Sequence, residues 1–356
     1  MGNANTKSKF KVNMHAAIYN PYLDTLGGGE RYTISFAKVL SDVGYDVDVE
    51  WKNPKIKNKL EERFGIKLQG INFINDIKRG DGYDICFWLS DGSIPLLRAR
   101  KNFLHFQFPF KDVKGGSLLN RMKLFRVSKI ICNSRFTKSY IDKEYQSDSL
   151  VIYPPVDTKS IRPKRKENII LFVGRFSQLT QSKNQQILID AFKSFYKSGP
   201  TDWRLILAGG IEVGVDDYMK KLVKSSRNYP VEIVKSPGYE EIKNLYGISK
   251  LFWSAVGYGV EEEKDPKKVE HFGIAVVEAM RAGAVPIVYN AGGHKEIIKD
   301  GDNGFLWSTK RELIKKTKDL IKDSKKLKLY SRNATKASLK YGYERFRKEI
   351  LQLVEN

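Results

Sequence analysis

The sequence predicts an α/β protein built from two doubly wound, parallel-sheet domains. Three observations predict it. Short apolar runs alternate with helical patterns through the first half, the alternation breaks at a proline- and charge-rich stretch, and it then starts again. The length agrees, because 356 residues exceed what one hydrophobic core usually organises. With 41% hydrophobic residues, the chain can fill two cores.

In chain order, "MHAAIYN" reads as a strand, followed by "GGG" and the helical pattern "ERYTISFAKVLSDVG". Ile34, Ala37 and Leu40 share one face of that helix, and Gly44 stops it. "YDVDVEW" alternates as a strand does, and "YDICFWLS" and "KNFLHFQFP" follow as buried strands. "SKIICNS" is the next strand and leads into "SRFTKSYIDKEY", a helix that Ser134 caps. "SLVIYPPVD" closes the first half, and residues 154–168 form the linker. The second half repeats the plan. "NIILFVGR", "WRLILAGG", "VEIV", "KLFWSAV" and "AVPIVYN" are strands. Helices fall between them, one ending at Gly199 and one near Gly283, and the last fifty or so residues are helical. The domain expectation is 1–160, then 161–339, with a final helix at about 340–356 packing back on the first domain. In such sheets ligands bind at the carboxyl ends of the strands, where loops meet helix N-termini.

The formal charge of +22 favours anionic partners: phosphorylated substrates, anionic lipid or nucleic acid. No zinc-finger spacing, aromatic RNA-binding signature or solenoid repeat accompanies it. Cys86 and Cys132 sit in apolar strand patterns, which points to core thiols in a reducing compartment and away from disulfides or a zinc site. No apolar run reaches the roughly 18 residues of a membrane span. The start lacks an apolar signal core. Gly2 and Thr6 fit a myristoylation pattern as well as a plain polar tail.

Three places could carry chemistry. Gly27, Gly28 and Gly29 separate the first strand from the first helix and let a ligand approach the backbone, although a tight turn needs the same residues. Arg175 lies just past a strand and Lys183 at the start of a helix, a pair suited to a diphosphate or, equally, a solvated basic loop. Glu270 and Glu278 stand eight residues apart in "VEHFGIAVVEAMRAG". One carboxylate falls in a loop and the other on the adjoining helix, with uncommitted N–H groups between them. A ligand with a sugar, a diphosphate and a ribose would satisfy all three groups. Pattern alone leaves a solvent-facing helical glutamate as an equal reading. Asp46 and Asp48 ("DVD") resemble a metal motif but lie in an alternating strand, and the expected metal requirement is none.

"GGGER", "VGRFSQLTQSKNQ", "EHFGIAVVEAMRAGAVPIVYNAGGHKEII" and "GDNGFLW" resemble the family-four retaining glycosyltransferases of the GT-B fold, over nearly the whole chain and in the right order. "EHFGIAVVEAMRAGAVPI" is particularly similar to α-mannosyltransferases that extend lipid-linked glycans from GDP-mannose, and "HFQFP" and "NSRFT" are compatible with that group. The resemblance implies two Rossmann-like domains facing each other across a cleft. It implies that Glu278 takes the ribose hydroxyls and Glu270 the transferred sugar. The amides of Phe272, Gly273 and Ile274 would hold sugar and phosphates, and Arg175 and Lys183 would neutralise the diphosphate. Gly27, Gly28 and Gly29 would face the diphosphate from the other domain, and His105 would lie near the reacting centre. The loop "SQLTQS" between Arg175 and Lys183 is longer than the family's usual one, which bears on the lysine assignment.

The function expected is transfer of a hexose, mannose from GDP-mannose or else a sugar from UDP, to a glycan or lipid-linked acceptor, with no added cofactor. Basic residues crowd the first domain from Arg98 to Lys129, and "SLLNRMKLFRVSK" mixes them with Leu, Met and Phe as an interfacial helix does. Peripheral contact with anionic membrane, at its cytoplasmic face, is expected from that segment, with a solvated basic face as the alternative reading. A nucleic-acid-binding protein and a non-catalytic sugar-nucleotide-binding module are the competing classes. The first explains the charge and leaves the glutamate pair unexplained.

Overall fold

The computed structural model describes residues 14–178 and 181–355. The myristoylation pattern at Gly2 and Thr6 lies outside the described residues. The first sheet contains β1 (Met14–Tyr19), β2 (Tyr45–Glu50), β3 (Ile71–Ile74), β4 (Ile85–Leu89), β5 (Lys101–Phe106), β6 (Lys129–Cys132) and β7 (Leu150–Val151). Its order is β3-β2-β1-β4-β5-β6-β7, parallel throughout. Helices α1 (Gly28–Asp42), α2 (Ile56–Phe64), α3 (Leu118–Leu124) and α4 (Arg135–Tyr145) accompany it.

The second sheet contains β8 (Glu167–Val173), β9 (Arg204–Gly209), β10 (Val231–Lys235), β11 (Ser249–Ser254), β12 (Val285–Tyr289) and β13 (Phe305–Trp307), in the order β10-β9-β8-β11-β12-β13. Its helices are α5 (Gln185–Lys197), α6 (Asp216–Ser226), α7 (Tyr239–Ile248), α8 (Ile274–Arg281), α9 (His294–Ile297), α10 (Lys310–Lys322) and α11 (Ser324–Ser338). Both sheets reverse direction of growth beside their first strand, at β1/β4 and at β8/β11. A crevice opens at such a switch point because the flanking connections leave to opposite faces.

The elements form for local reasons. Ser134 accepts the Thr137 amide at 2.9 Å and so caps α4. Glu30 reaches back to the Gly27 amide at 2.7 Å, which fixes where α1 starts. The last helix, α12 (Tyr343–Glu355), belongs to the first core: Phe346, Ile350 and Val354 are buried with Tyr32, Phe36 and Phe87. The strand Ile71–Ile74 and the helix Ile56–Phe64 carry no clear period in the sequence. Their few apolar residues, Ile56, Leu60, Phe64 and Ile71, are buried only because β2 and α1 offer a surface for them.

Phe346 is fully buried under α1. Phe346→Ala is expected to lower the stability of the first domain by about 3–5 kcal/mol. This would appear as a lower midpoint for the first unfolding transition in denaturant. An unchanged midpoint would detach α12 from that core.

Candidate active site

The carboxyl ends of the two sheets face each other across a cleft of about 710 Å³. Gly27, Gly28 and Gly29 line it from the first domain. Arg175, Lys183, Glu270, Phe272, Gly273, Ile274 and Glu278 line it from the second. All the sequence candidates except His105 therefore converge on one space.

The helix α8 positions the two glutamates. Gly273 is its N-cap, in the left-handed region at φ 112°. Among the described residues, the amides of Phe272, Gly273, Ile274 and Ala275 donate to no protein acceptor. Unpaired N–H groups at a helix start attract an anion. Val276, Val277, Ala279 and Met280 pack into the second core and hold the helix against the sheet. The loop before the helix closes onto residues 291–294. A Cβ on Gly292 would sit 2.1 Å from the Glu270 carbonyl oxygen, so only glycine permits that approach. This explains "AGGH", which the sequence left without a role.

Glu270 meets the Nζ of Lys183 at 3.3 Å, and Lys183 also donates to Gln181 Oε1 at 2.6 Å. Burial pushes the Glu270 carboxyl up, but Lys183 and then His294 and His271 pull it further down, leaving it below its ordinary value. Burial lowers His271 to about 4 and lowers His294 as well. With both imidazoles neutral near pH 7, Lys183 is the partner that keeps Glu270 an anion. His294 donates through Nδ1 to the Tyr289 carbonyl (2.8 Å), while its Nε2 is buried with no partner among the described residues. His271 lines the cleft and packs edge-on against Phe108, 5.0 Å between ring centres. Neither histidine was singled out in the sequence. His271 had a visible signal, its place inside "EHFG".

Glu278 is engaged on both oxygens. Arg31 of α1 crosses the cleft to Oε1 at 2.5 Å, and Tyr246 donates to Oε2 at 3.0 Å. Arg31 and Tyr246 were not among the sequence candidates, and nothing in their spacing marks them, because they come from different domains. Arg175 points into the same space. Its guanidinium carbon lies 4.0 Å from where a Cβ of Gly27 would be, and among the described residues no acceptor holds its side chain. Lys183 precedes the N-cap Asn184 of α5 and reaches the cleft despite the longer loop before it.

His105 requires a correction. It does not line the cleft but lies fully buried in the first core. Its ring stacks on Tyr32 at 4.1 Å, and among the described residues neither ring nitrogen has a hydrogen-bond partner. Burial drives it to about 3, so it is neutral. The reason is strand alternation. His105 shares the inward face with Phe103, inside β5, two residues short of the cleft. Gln107, next on that face, does reach it and donates to the Gly29 carbonyl at 3.1 Å. Asp48 likewise holds structure, accepting from Asn72 (3.0 Å) and Tyr83 (2.8 Å). Among the described residues no group of three or more acidic, histidine or cysteine side chains could hold a metal ion.

The family model described as glycosyl transferases group 1 matches residues 156–337. The chain belongs to this family. It is 25% identical over 250 residues to the GDP-Man:Man(3)GlcNAc(2)-PP-Dol alpha-1,2-mannosyltransferase of Dictyostelium discoideum, covering 64% of this chain and 46% of that protein. The chain thus spans about half the length of that relative. It is also 25% identical to an uncharacterized glycosyltransferase of Methanocaldococcus jannaschii, over 92% of this chain and 93% of that one. Among solved structures, Anabaena Alr3699/HepE in complex with UDP and glucose superposes with a TM-score of 0.74 at 21% identity, covering 96% and 100% of the two chains. A glycosyltransferase of Rickettsia africae superposes with 0.76 at 18% identity, over 97% and 98%. The fold is GT-B, within the family of glycosyl transferases.

Three of the four histidines are buried and neutral. Their folded values lie below the ordinary 6.5, so the unfolded chain binds protons first as pH falls from 6.5. This stability is present above that value and is lost as pH falls; for His105 and His271, held at about 3 and about 4, the loss approaches about 1.4 kcal/mol per pH unit towards pH 4. His105→Phe, which removes one of these groups, should make the fall in Tm between pH 6.5 and 4.5 shallower. An unchanged slope would show that His105 takes up its proton as readily in the folded protein as in the unfolded chain.

Proposed function

We propose that this glycosyltransferase moves a hexose, mannose from GDP-mannose, to a hydroxyl of a glycan or lipid-linked acceptor with retention at the anomeric carbon. One observation carries the reading: Arg175, Lys183 and the amides of residues 272–275, which have no acceptor among the described residues, converge beside an anionic, nearly buried Glu270. Cations and amides receive a diphosphate, and the carboxylate receives sugar hydroxyls. The name of the Dictyostelium relative supports GDP-mannose. A second reading, a UDP-sugar donor, is supported by the UDP and UDP-glucose complexes of Anabaena Alr3699/HepE.

In this mechanism the acceptor oxygen bonds to the anomeric carbon on the face from which the phosphate oxygen leaves. The acceptor proton passes to that departing phosphate oxygen. Arg175, Lys183 and the helix amides stabilise the growing phosphate charge, and preorganised donors of this kind usually supply the largest catalytic effect. No step in it calls for a metal. Glu278 keeps a second lone pair on each oxygen, so ribose hydroxyls can donate beside Arg31 and Tyr246 or displace Arg31. The base would meet the loop at Ser236–Tyr239, whose Tyr239 lines the cleft. Residues 161–339 would form the donor domain. Residues 1–160 with the returning α12 would form the acceptor domain.

Helix α3 supports a membrane-borne acceptor. Leu118, Leu119, Met122 and Phe125 are 76%, 62%, 61% and 90% exposed, and Arg121, Lys123 and Arg126 stand among them. Apolar side chains interleaved with cations suit the surface of an anionic bilayer. Among the described residues no helix is long and apolar enough to cross a membrane. Contact at the cytoplasmic face would then be peripheral.

Glu270→Ala and Arg175→Ala are each expected to lower sugar transfer by about a hundredfold or more while the protein stays folded. Near-normal transfer by both variants would place the chemistry elsewhere. GDP should raise Tm more than UDP does, and the reverse order would select the second reading. Wild type should sediment with anionic vesicles at low salt and Phe125→Ser less so. Equal sedimentation of the two, or none by either, would remove α3 from the membrane contact.

A further inference from the structure

A second cavity, of about 620 Å³, opens in the first domain. Its wall is built at the switch point of the first sheet. Tyr19 ends β1, Trp88 lies near the end of β4, and the two are register partners on paired strands. Their rings stack 3.7 Å apart at 17°, both half-buried. Around this platform stand two carboxylates, Glu50 and Asp76, and two cations, Arg79 and Lys123.

These polar groups are only partly used. Glu50 accepts the Ile77 amide on Oε2 and Asp76 accepts the Lys78 amide on Oδ1, which leaves one oxygen on each. Among the described residues neither Arg79 nor Lys123 makes a side-chain hydrogen bond or ion pair. The turn that carries Arg79 is held in an unfavourable conformation. Lys78 and Arg79 both have positive φ (51° and 57°), and neither is glycine. Two such residues in succession persist only where the surroundings impose them, and such strain gathers at binding sites. Gly80 pins the turn, since a Cβ there would meet that of Cys86 at 2.7 Å.

We propose that this cavity binds a pyranose ring of the acceptor glycan. The inference rests on the reading of the chain as a sugar-transferring enzyme and names the acceptor side of the same site. The apolar face of a pyranose presents C–H groups with partial positive charge, which pack on the negative face of an aromatic ring. Its equatorial hydroxyls both donate and accept. Paired carboxylates and cations at the rim therefore match a neutral polyol better than an anion or a hydrocarbon. The position fits as well. Leu89, Ser90 and Asp91 line the main cleft, while Trp88 and Ser93 line this cavity, so the two spaces share the 88–93 turn as a wall. Asp91 stiffens that turn by accepting from the Ser93 amide (3.0 Å) and hydroxyl (2.7 Å). The donor's cations and carboxylates all lie across the main cleft, so a ring held here belongs to the acceptor.

The test is saturation-transfer NMR on the full chain with methyl glycosides of mannose, glucose, galactose and N-acetylglucosamine at millimolar concentration. Thermal shifts with GDP and UDP run in parallel. At least one glycoside should bind the wild type. Trp88→Ala and Glu50→Gln should each weaken it about tenfold or more, while Trp88→Phe retains it. The nucleotide shift should be the same in all variants. If none of the four glycosides binds, or if binding persists in Trp88→Ala and Glu50→Gln, the cavity is not a sugar subsite. If neither nucleotide shifts the wild type, the donor reading fails, and the glycoside result still decides the subsite separately.

Discussion

A nearly buried carboxylate kept as an anion organises this protein. Glu270 sits at the floor of the cleft, where burial alone would favour its neutral form. Lys183 reverses that balance from the start of α5, and the two have to be held together across a long stretch of chain. The loop that carries Glu270 is fixed by Gly293 donating to its carbonyl at 2.7 Å, and by the close packing that Gly292 permits. The apolar side of α8 then fixes the distance from Glu270 to Glu278. Lysine, loop, helix and glycine pair form one arrangement, and loss of any of them would leave a charge without its partner.

The second condition is that two domains meet correctly. Arg31 of the first domain binds Glu278 of the second. Farther out, Glu296 accepts the Arg135 and Phe136 amides at 2.9 and 2.6 Å, so a carboxylate of the second domain caps α4 of the first. An anion at a helix N-terminus is favoured by the aligned peptide dipoles. A Cβ on Gly28 would come within 2.8 Å of Ile274 Cδ1, so the first domain's glycine loop closes directly onto the start of α8. These contacts bring Gly27 of the first domain close to the guanidinium of Arg175, which has no side-chain partner among the described residues.

The domains divide the work by chemistry. The second carries the cations, amides and carboxylates that suit a sugar diphosphate. The first carries an aromatic platform at its own switch point and a helix with exposed apolar and basic side chains. The main cleft and the second cavity both draw residues from the carboxyl ends of the strands.

The fold and most of the cleft were legible in the sequence because they rest on local rules. Alternating apolar runs marked the strands, Ser134 marked a helix start, and "EHFG" before an apolar helix placed Glu270 in a loop and Glu278 on the adjoining helix. Where the period was weak, as at Ile56–Phe64 and Ile71–Ile74, the sequence was silent, because burial there depends on neighbours far along the chain. His105 shows the limit most clearly. The family resemblance implied a place near the reacting centre, but strand alternation turned it inward under Tyr32 and gave the cleft position to Gln107. Tyr246 reaches Glu278 from a segment with no pattern linking it to "EHFG", and Arg31 and His294, though inside quoted motifs, were given no role there. Residue type and spacing determined which groups could bind a sugar nucleotide. Only the meeting of two sheets decided which of them are close enough, and buried enough, to keep the charges that binding needs.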